Sequence, residues 1–347
     1  MQLGGLYEKV ISKNIPLFAC LEITTACNND CVHCYNVGNH SLPLDVIKRC
    51  MDEAAELGTL FLSVTGGEPM LREDIWDILS YSVEKGFATL LYTNATMIGQ
   101  KEAALLKEIG IYHVDTTLLG ACAETHDALT GVKGSFEGTI NALKALKEEG
   151  ISMAVKTPVM KGNAAEVEDI RIMVESMDIN HIASPLIFTK DDGNTAPLCH
   201  RPDDGQLKDF FLLREVKSLT DCNAGYSCHF GRCTFAIKAD GDVNPCVSVP
   251  FSLGNVKESS LKKIWQENSD LELIRKTGAE PLSECSDCDL AGWCFRCEGI
   301  SFTEEGRLFA RSDELCRMAR IRKEASHGRS QEEKGKKEIQ QTADRAC

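Results

Sequence analysis

No stretch of the chain approaches the ~18 uninterrupted apolar residues of a membrane-spanning helix. The opening residues, MQLGGLYEKVISKN, carry no basic segment followed by an apolar one, so no secretory signal is expected and the chain reads as cytoplasmic. Positive charge is in deficit: 38 Lys and Arg stand against 52 Asp and Glu, a formal net charge of −14. Such a surface repels nucleic acid and anionic membrane, and neither is expected as a partner, although the same charge also serves plain solubility. A fourth absence is local. TTACNNDCVHCYN, residues 24–36, holds three cysteines at the spacing C-x3-C-x2-C, Cys27, Cys31 and Cys34, and lacks a fourth beside them.

Cysteine is otherwise abundant, with 17 in the chain. In a reducing compartment, clustered cysteine signals metal ligation rather than disulfides. Eleven of them fall in three groups; Cys20, Cys50, Cys122, Cys199, Cys222 and Cys347 are scattered and read as buried small residues or surface thiols. Four thiolates close a tetrahedral metal site, whereas three leave a position open to a ligand. Closely spaced cysteines hold iron–sulfur clusters, so a [4Fe–4S] cube on Cys27, Cys31 and Cys34 would keep one iron free of protein. The competing reading is a zinc knuckle completed by His33 or His40.

Between residues 17 and 220 apolar runs alternate with amphipathic ones. LFACLEI (17–23), LFLSVT (60–65), ATLLYTN (88–94), YHVDTTLL (112–119), SMAVKTPVM (152–160) and HIASPLIF (181–188) read as strands. Segments 44–57, 72–85, 101–110, 135–150, 164–177 and 203–219 have helical spacing. Six βα units imply a parallel sheet, as an open barrel or a flat doubly wound sheet; periodicity does not separate these. The first cysteines follow the first strand, at the end where parallel α/β proteins keep their sites. One strand later SVTGGEPML sets Gly66, Gly67, Glu68 and Pro69 in a turn, where two glycines allow a close backbone approach.

C27-x3-C31-x2-C34 followed by Gly66-Gly67-Glu68-Pro69 resembles the radical S-adenosylmethionine (SAM) enzymes. The resemblance implies a partial (β/α)6 barrel, TIM-like. It also implies SAM chelated to the open iron by its amino and carboxylate groups, with the Gly66–Pro69 turn beside the amino group. It places Thr93 and Asn94 of YTNAT near the cofactor. Relatives often carry arginine at the position of Thr130, so no cofactor contact is assigned there.

Residues 221–316 hold nine cysteines, many glycines and few long apolar runs, so their fold is expected to depend on metal. Cys228-x12-Gly241-x4-Cys246, then Cys285-x2-Cys288-x5-Cys294-x2-Cys297 and Cys316, resemble the SPASM extension with two auxiliary [4Fe–4S] clusters. The resemblance implies Cys228, Cys233, Cys246 and Cys297 for the first and Cys285, Cys288, Cys294 and Cys316 for the second. The last spacing is one residue shorter than usual, which leaves Cys222 as a substitute for Cys297. Two structural zinc sites are the alternative. The domains expected are 1–16 as an N-terminal segment, 17–220 as the barrel, 221–320 as the cysteine-rich domain and 321–347 as a charged, disordered tail or solvated helix end.

The family implies three [4Fe–4S] clusters, SAM, and a low-potential donor of flavodoxin or ferredoxin type. The reaction expected is oxidative modification of a peptide or protein by a 5′-deoxyadenosyl radical. Only 26 residues precede Cys27, so a separate leader-peptide recognition protein is a candidate partner. The alternatives are oxidative decarboxylation of a tetrapyrrole (alternative heme or heme d1 synthesis), anaerobic sulfatase maturation, and a non-enzymatic iron–sulfur or zinc scaffold. Glu22, Asp115, His113 and His126 are placed near the mouth without an assigned acid–base role, and Cys122 lies in the loop after the fourth strand.

Overall fold

The computed structural model describes residues 3–213, 230–277 and 283–327. Of these, 3–201 and 230–277 form one compact unit, and 202–213 and 283–327 a second.

The first unit is built on an eight-stranded sheet. Strands β1 (Phe18–Glu22), β2 (Phe61–Thr65), β3 (Ala88–Thr93), β4 (His113–Thr117), β5 (Met153–Pro158) and β6 (Asn180–Ser184) pair in parallel in chain order. This order is that of a partial barrel. Helices α2 (Leu44–Glu56), α3 (Ile75–Glu84), α4 (Gln100–Ile109), α6 (Ser135–Glu148) and α7 (Val167–Ser176) follow β1 to β5. Within residues 3–201 two helices have no counterpart in the sequence pattern: α1 (Leu3–Ser12), ahead of β1, and α5 (Ala123–Thr130), in the segment after β4. The outward strand residues Leu21, Leu62, Val64, Leu91 and Val114 are buried, as are Ile47 and Met51 of α2 and Ile78 and Leu79 of α3. Burial of each such side chain stabilises by about 1.5–3 kcal/mol.

The expected boundary at residue 220 does not coincide with the compact units. Residues 230–277 fold with the barrel because β7 (Thr234–Ile237) pairs in parallel with the free edge of β1. β8 (Val243–Asn244) then returns antiparallel through a tight turn. Gly241 in that turn has φ 100°, and a Cβ there would lie 2.6 Å from Asn255 Oδ1. Two helices, α9 (Leu261–Glu267) and α10 (Ser269–Thr277), complete this part, with Ser260 capping α9 through Lys263 N.

The second unit contains α8 (Asp204–Leu213), α11 (Glu298–Glu305) and a helix over 313–327. Of the two expectations for the segment from 321, residues 321–327 follow the helix end, but with Ile321 and Ala325 buried rather than solvated. Apolar residues at helical spacing override the charged composition there. No helix among the described residues is long and apolar enough to cross a membrane.

Candidate radical cofactor site

The loop after β1 is fastened before it reaches its first cysteine. Gly67 N donates to Thr24 O and Glu68 N to Ala26 O, both at 2.8 Å. This contact requires the glycines: a Cβ on Gly66 would stand 2.1 Å from Thr24 O, and one on Gly67 2.3 Å from Ala26 O. The pair is thus explained by backbone packing against the cysteine loop as well as by any ligand. Glu68 is fully buried. Its Oε1 accepts from Met70 N (2.9 Å) and Thr93 Oγ1 (2.7 Å), and its Oε2 from Asn94 N (2.7 Å), tying the end of β2 to the end of β3. Burial pushes its carboxyl up from the usual range, and these three donors oppose the rise without cancelling it.

Cys27, Cys31 and Cys34 line a cavity of about 340 Å³ together with Gly66, Gly67, Thr93 and Asn94. Asn94 Nδ2 reaches Cys27 Sγ at 3.9 Å and Asn28 Oδ1 at 2.7 Å. Beyond Cys27, Asp30 N donates to Thr130 O and Val32 N to Leu129 O, docking the loop on the end of α5. Burial pushes the Cys31 thiol up to about 12, with Cys34 and Cys27 adding to the rise, and also raises Cys27 and Cys34. A bound metal reverses this by taking the thiolate form. The donor set fits a cluster: three mutually close thiols face one cavity, beside Asn29 Oδ1 and Asn36 Oδ1, which are buried without a hydrogen-bond partner. His33 also lines the cavity, and burial, then His200, lowers it to about 4; His40 is exposed. Among the described residues no three His, Cys, Asp or Glu side chains converge as the ligands of a single ion do.

Behind the loop lies a buried ionic group that sequence reasoning missed. Lys238, just past β7, pairs with Glu22 Oε2 (2.7 Å) and Asp191 Oδ2 (2.9 Å), and its ammonium stands 4.9 Å from the Tyr35 ring. Tyr35 Oη donates to Glu22 Oε1 at 2.8 Å, and Asp191 N donates to Tyr35 O. Burial raises the Glu22 and Asp191 carboxyls. Burial alone would lower Lys238, but the two carboxylates outweigh it and hold the ammonium protonated. Glu22 is therefore a structural partner of Tyr35 and Lys238, not a lining residue.

Asp115 and His126 do line the cavity; His113 does not. Asp115 pairs with Lys156 Nζ (2.7 Å) and His113 Nε2 (3.4 Å). Burial raises its carboxyl, but these two donors outweigh burial and hold it below the usual range. His126 accepts from Leu119 N through Nδ1, and burial lowers it to about 4, so it is neutral with its proton on Nε2. Thr130 lines the cavity too, its hydroxyl 2.6 Å from Ser135 Oγ. Cys122 is exposed at the start of α5, 3.7 Å from Thr125 Oγ1, and is not a lining residue. Lys156 and Tyr92 went unnoticed in the sequence, where Lys156 stands as the lone charge in the run SMAVKTPVM.

In the second unit, Cys285, Cys288, Cys294 and Cys316 lie within electrostatic reach of one another. Burial raises Cys285 and Cys294, the latter to about 11, and each is raised further by the other three thiols or by two of them. Of the other proposed set, Cys233 and Cys246 are placed around β7 and β8, Cys297 opens α11 in the second unit, and Cys228 lies outside the described residues, as does Cys222. Cys246 is raised by burial.

An α/β barrel with an open three-thiol site at the carboxyl ends of its strands and a cysteine-rich C-terminal part defines the class. The chain belongs to the radical SAM superfamily, which it matches over residues 21–173, and it carries an iron–sulfur cluster-binding SPASM domain over 228–289. It is similar to an AdoMet-dependent heme synthase of Methanosarcina barkeri, with 24% identity over 84% of this chain and 94% of that one. It is also similar to a PqqA peptide cyclase of Bradyrhizobium diazoefficiens, with 24% identity over 88% and 87%. Its fold matches that of Streptococcus suis SuiB, solved with its precursor peptide SuiA: TM-score 0.68, 18% identity, 90% of this chain and 80% of that one.

Proposed function

We propose that this radical SAM enzyme oxidatively modifies a peptide or protein side chain held in the cavity between Cys27–Cys34 and Lys156. The observation that carries the reading is the set of three clustered thiols, with no fourth cysteine among the described lining residues, on one cavity with Gly66 and Gly67. In this reading Cys27, Cys31 and Cys34 hold a [4Fe–4S] cluster with one iron open to SAM. Reduced, this pair supplies a 5′-deoxyadenosyl radical able to remove a hydrogen atom from an unactivated carbon. The Gly66–Pro69 turn, Thr93 and Asn94 border the cofactor. Glu68 acts through them, because its carboxylate fixes the Thr93 hydroxyl and the Asn94 backbone. Leu119, Leu186, Ile187 and Phe188 line the cavity with apolar surface and keep water from the reacting carbon.

Cys228, Cys233, Cys246 and Cys297, and Cys285, Cys288, Cys294 and Cys316, would hold two further clusters, which would supply a route for the electron released on oxidation of the substrate. Fully thiolate-ligated clusters have no open iron and suit electron transfer. A flavodoxin or ferredoxin in the cytoplasm supplies the first electron, and a separate protein presents the peptide leader. The likeness to a PqqA peptide cyclase supports a peptide substrate. A second reading, oxidative decarboxylation of a tetrapyrrole, is favoured by the near end-to-end likeness to heme synthases. The test is anaerobic incubation of the reduced, reconstituted chain with SAM: 5′-deoxyadenosine forms if the reading holds, and its absence refutes it.

A further inference from the structure

Among the described residues lining the cavity, Lys156 is the one lysine or arginine and Asp115 the one carboxylate. Three features make the lysine a prepared group. Its ammonium is fixed, 2.7 Å from Asp115 Oδ2 and 3.9 Å from the centre of the Tyr92 ring. An ammonium has three N–H donors, and with one directed at Asp115 the others remain for a ligand. Its side chain is 38% exposed, on a strand that is otherwise largely buried.

Its partner is arranged so that Lys156 can turn to a ligand. Asp115 has a second partner, His113 Nε2 at 3.4 Å, and His113 Nδ1 is in turn 2.8 Å from Ser152 Oγ. Strand register explains the placement: Tyr92 pairs with Asp115 across β3 and β4, and Thr117 with Lys156 across β4 and β5. Lys156 thus stands three strands beyond β2, away from the strand ends that carry the cysteine loop and the Gly66–Gly67 turn. As a partly exposed ion pair it adds little to stability, so stability alone does not account for a cation placed there.

We propose that Lys156, positioned by Asp115 and Tyr92, anchors a carboxylate of the substrate, so that the group drawn into this cavity is an acid. The acid is an acidic peptide side chain or the propionate of a tetrapyrrole; their carboxylate chemistry is the same. The inference rests on the reading that substrate occupies this cavity. A cation facing a carboxylate in a restricted cavity forms a charge-assisted hydrogen bond, stronger than a neutral one.

The test is equilibrium binding to the full chain, anaerobic and cluster-reconstituted, for the parent, Lys156→Met and Lys156→Arg. Two probe pairs are used: iron coproporphyrin III against its tetramethyl ester, and an acetylated glycine–glutamate repeat peptide against its glutamine counterpart. The acid member of one pair should bind at least about tenfold tighter than its neutral partner. Lys156→Met should erase that preference and Lys156→Arg keep it, while the affinity for SAM stays within about twofold of the parent. The pair that responds identifies the source of the carboxylate. The proposal is overturned if neither acid is preferred, if Lys156→Met retains the preference, or if its main loss is in SAM affinity, which would make Lys156 a cofactor anchor. Binding needs no turnover, so failure of the radical chemistry registers separately, as absent 5′-deoxyadenosine.

Discussion

Cys27, Cys31 and Cys34 sit in a loop tied at each stage to the barrel: Thr24 and Ala26 to the Gly66–Glu68 turn, Asp30 and Val32 to the end of α5, Tyr35 to Glu22 and Asp191. Cys285 instead closes a single turn, Ser283–Cys285, Cys294 directly follows another, Ala291–Trp293, and Cys288 lies between them. The first loop is held by the protein's own hydrogen bonds, as would suit the proposed centre with an open iron corner. The second is held by short local turns, so in the proposed reading ligation would supply its cohesion.

That contrast can be broken most sharply at the cysteines. Replacing Cys27, Cys31 and Cys34 together by Ala should reduce 5′-deoxyadenosine formation by at least about 10³-fold, measured by chromatography. The circular dichroism of the barrel should be unchanged. Removing iron with a chelator should next separate the regions: under limited proteolysis, peptides from 283–316 should be cut early while those from 61–158 stay protected. Equal protection of both would erase the distinction.

Two buried carboxylate contacts sharpen the comparison on the barrel side. Lys238→Met leaves the buried Glu22 and the half-buried Asp191 without their cation and should cost about 3–5 kcal/mol in urea unfolding of the iron-free chain. Glu68→Ala leaves Thr93 Oγ1 and the amides of Met70 and Asn94 without their acceptor and should cost about 2 kcal/mol. Losses under ~0.5 kcal/mol in both would mean that the loop is not held as described.

Much of the barrel was legible because alternating strand residues and helical apolar spacing are local signals. The strand ends at Glu22, Thr65 and Thr93 fall within a residue or two of the sequence reading. The Gly66–Gly67 turn was legible as a place of close approach, although the nearest atoms prove to be Thr24 O and Ala26 O. Cys285, Cys288 and Cys316, grouped with Cys294 by spacing, are within electrostatic reach of it. What was not legible is non-local. Nothing near residue 235 in the sequence says that β7 will complete the edge of β1, or that Lys238 will meet Glu22 more than 200 positions away. Lys156 gave a local signal, a charge inside an apolar run, but its partners Asp115 and Tyr92 come from neighbouring strands and emerge only with register.

The central claim is the open iron corner on Cys27, Cys31 and Cys34. It is tested most directly by electron paramagnetic resonance of the reduced, reconstituted chain in which Cys246, Cys285, Cys288 and Cys294 are replaced by Ala, leaving the first site alone. A [4Fe–4S]⁺ signal whose shape changes when SAM is added is the result predicted here. A signal indifferent to SAM, or a silent site that retains zinc, would contradict it.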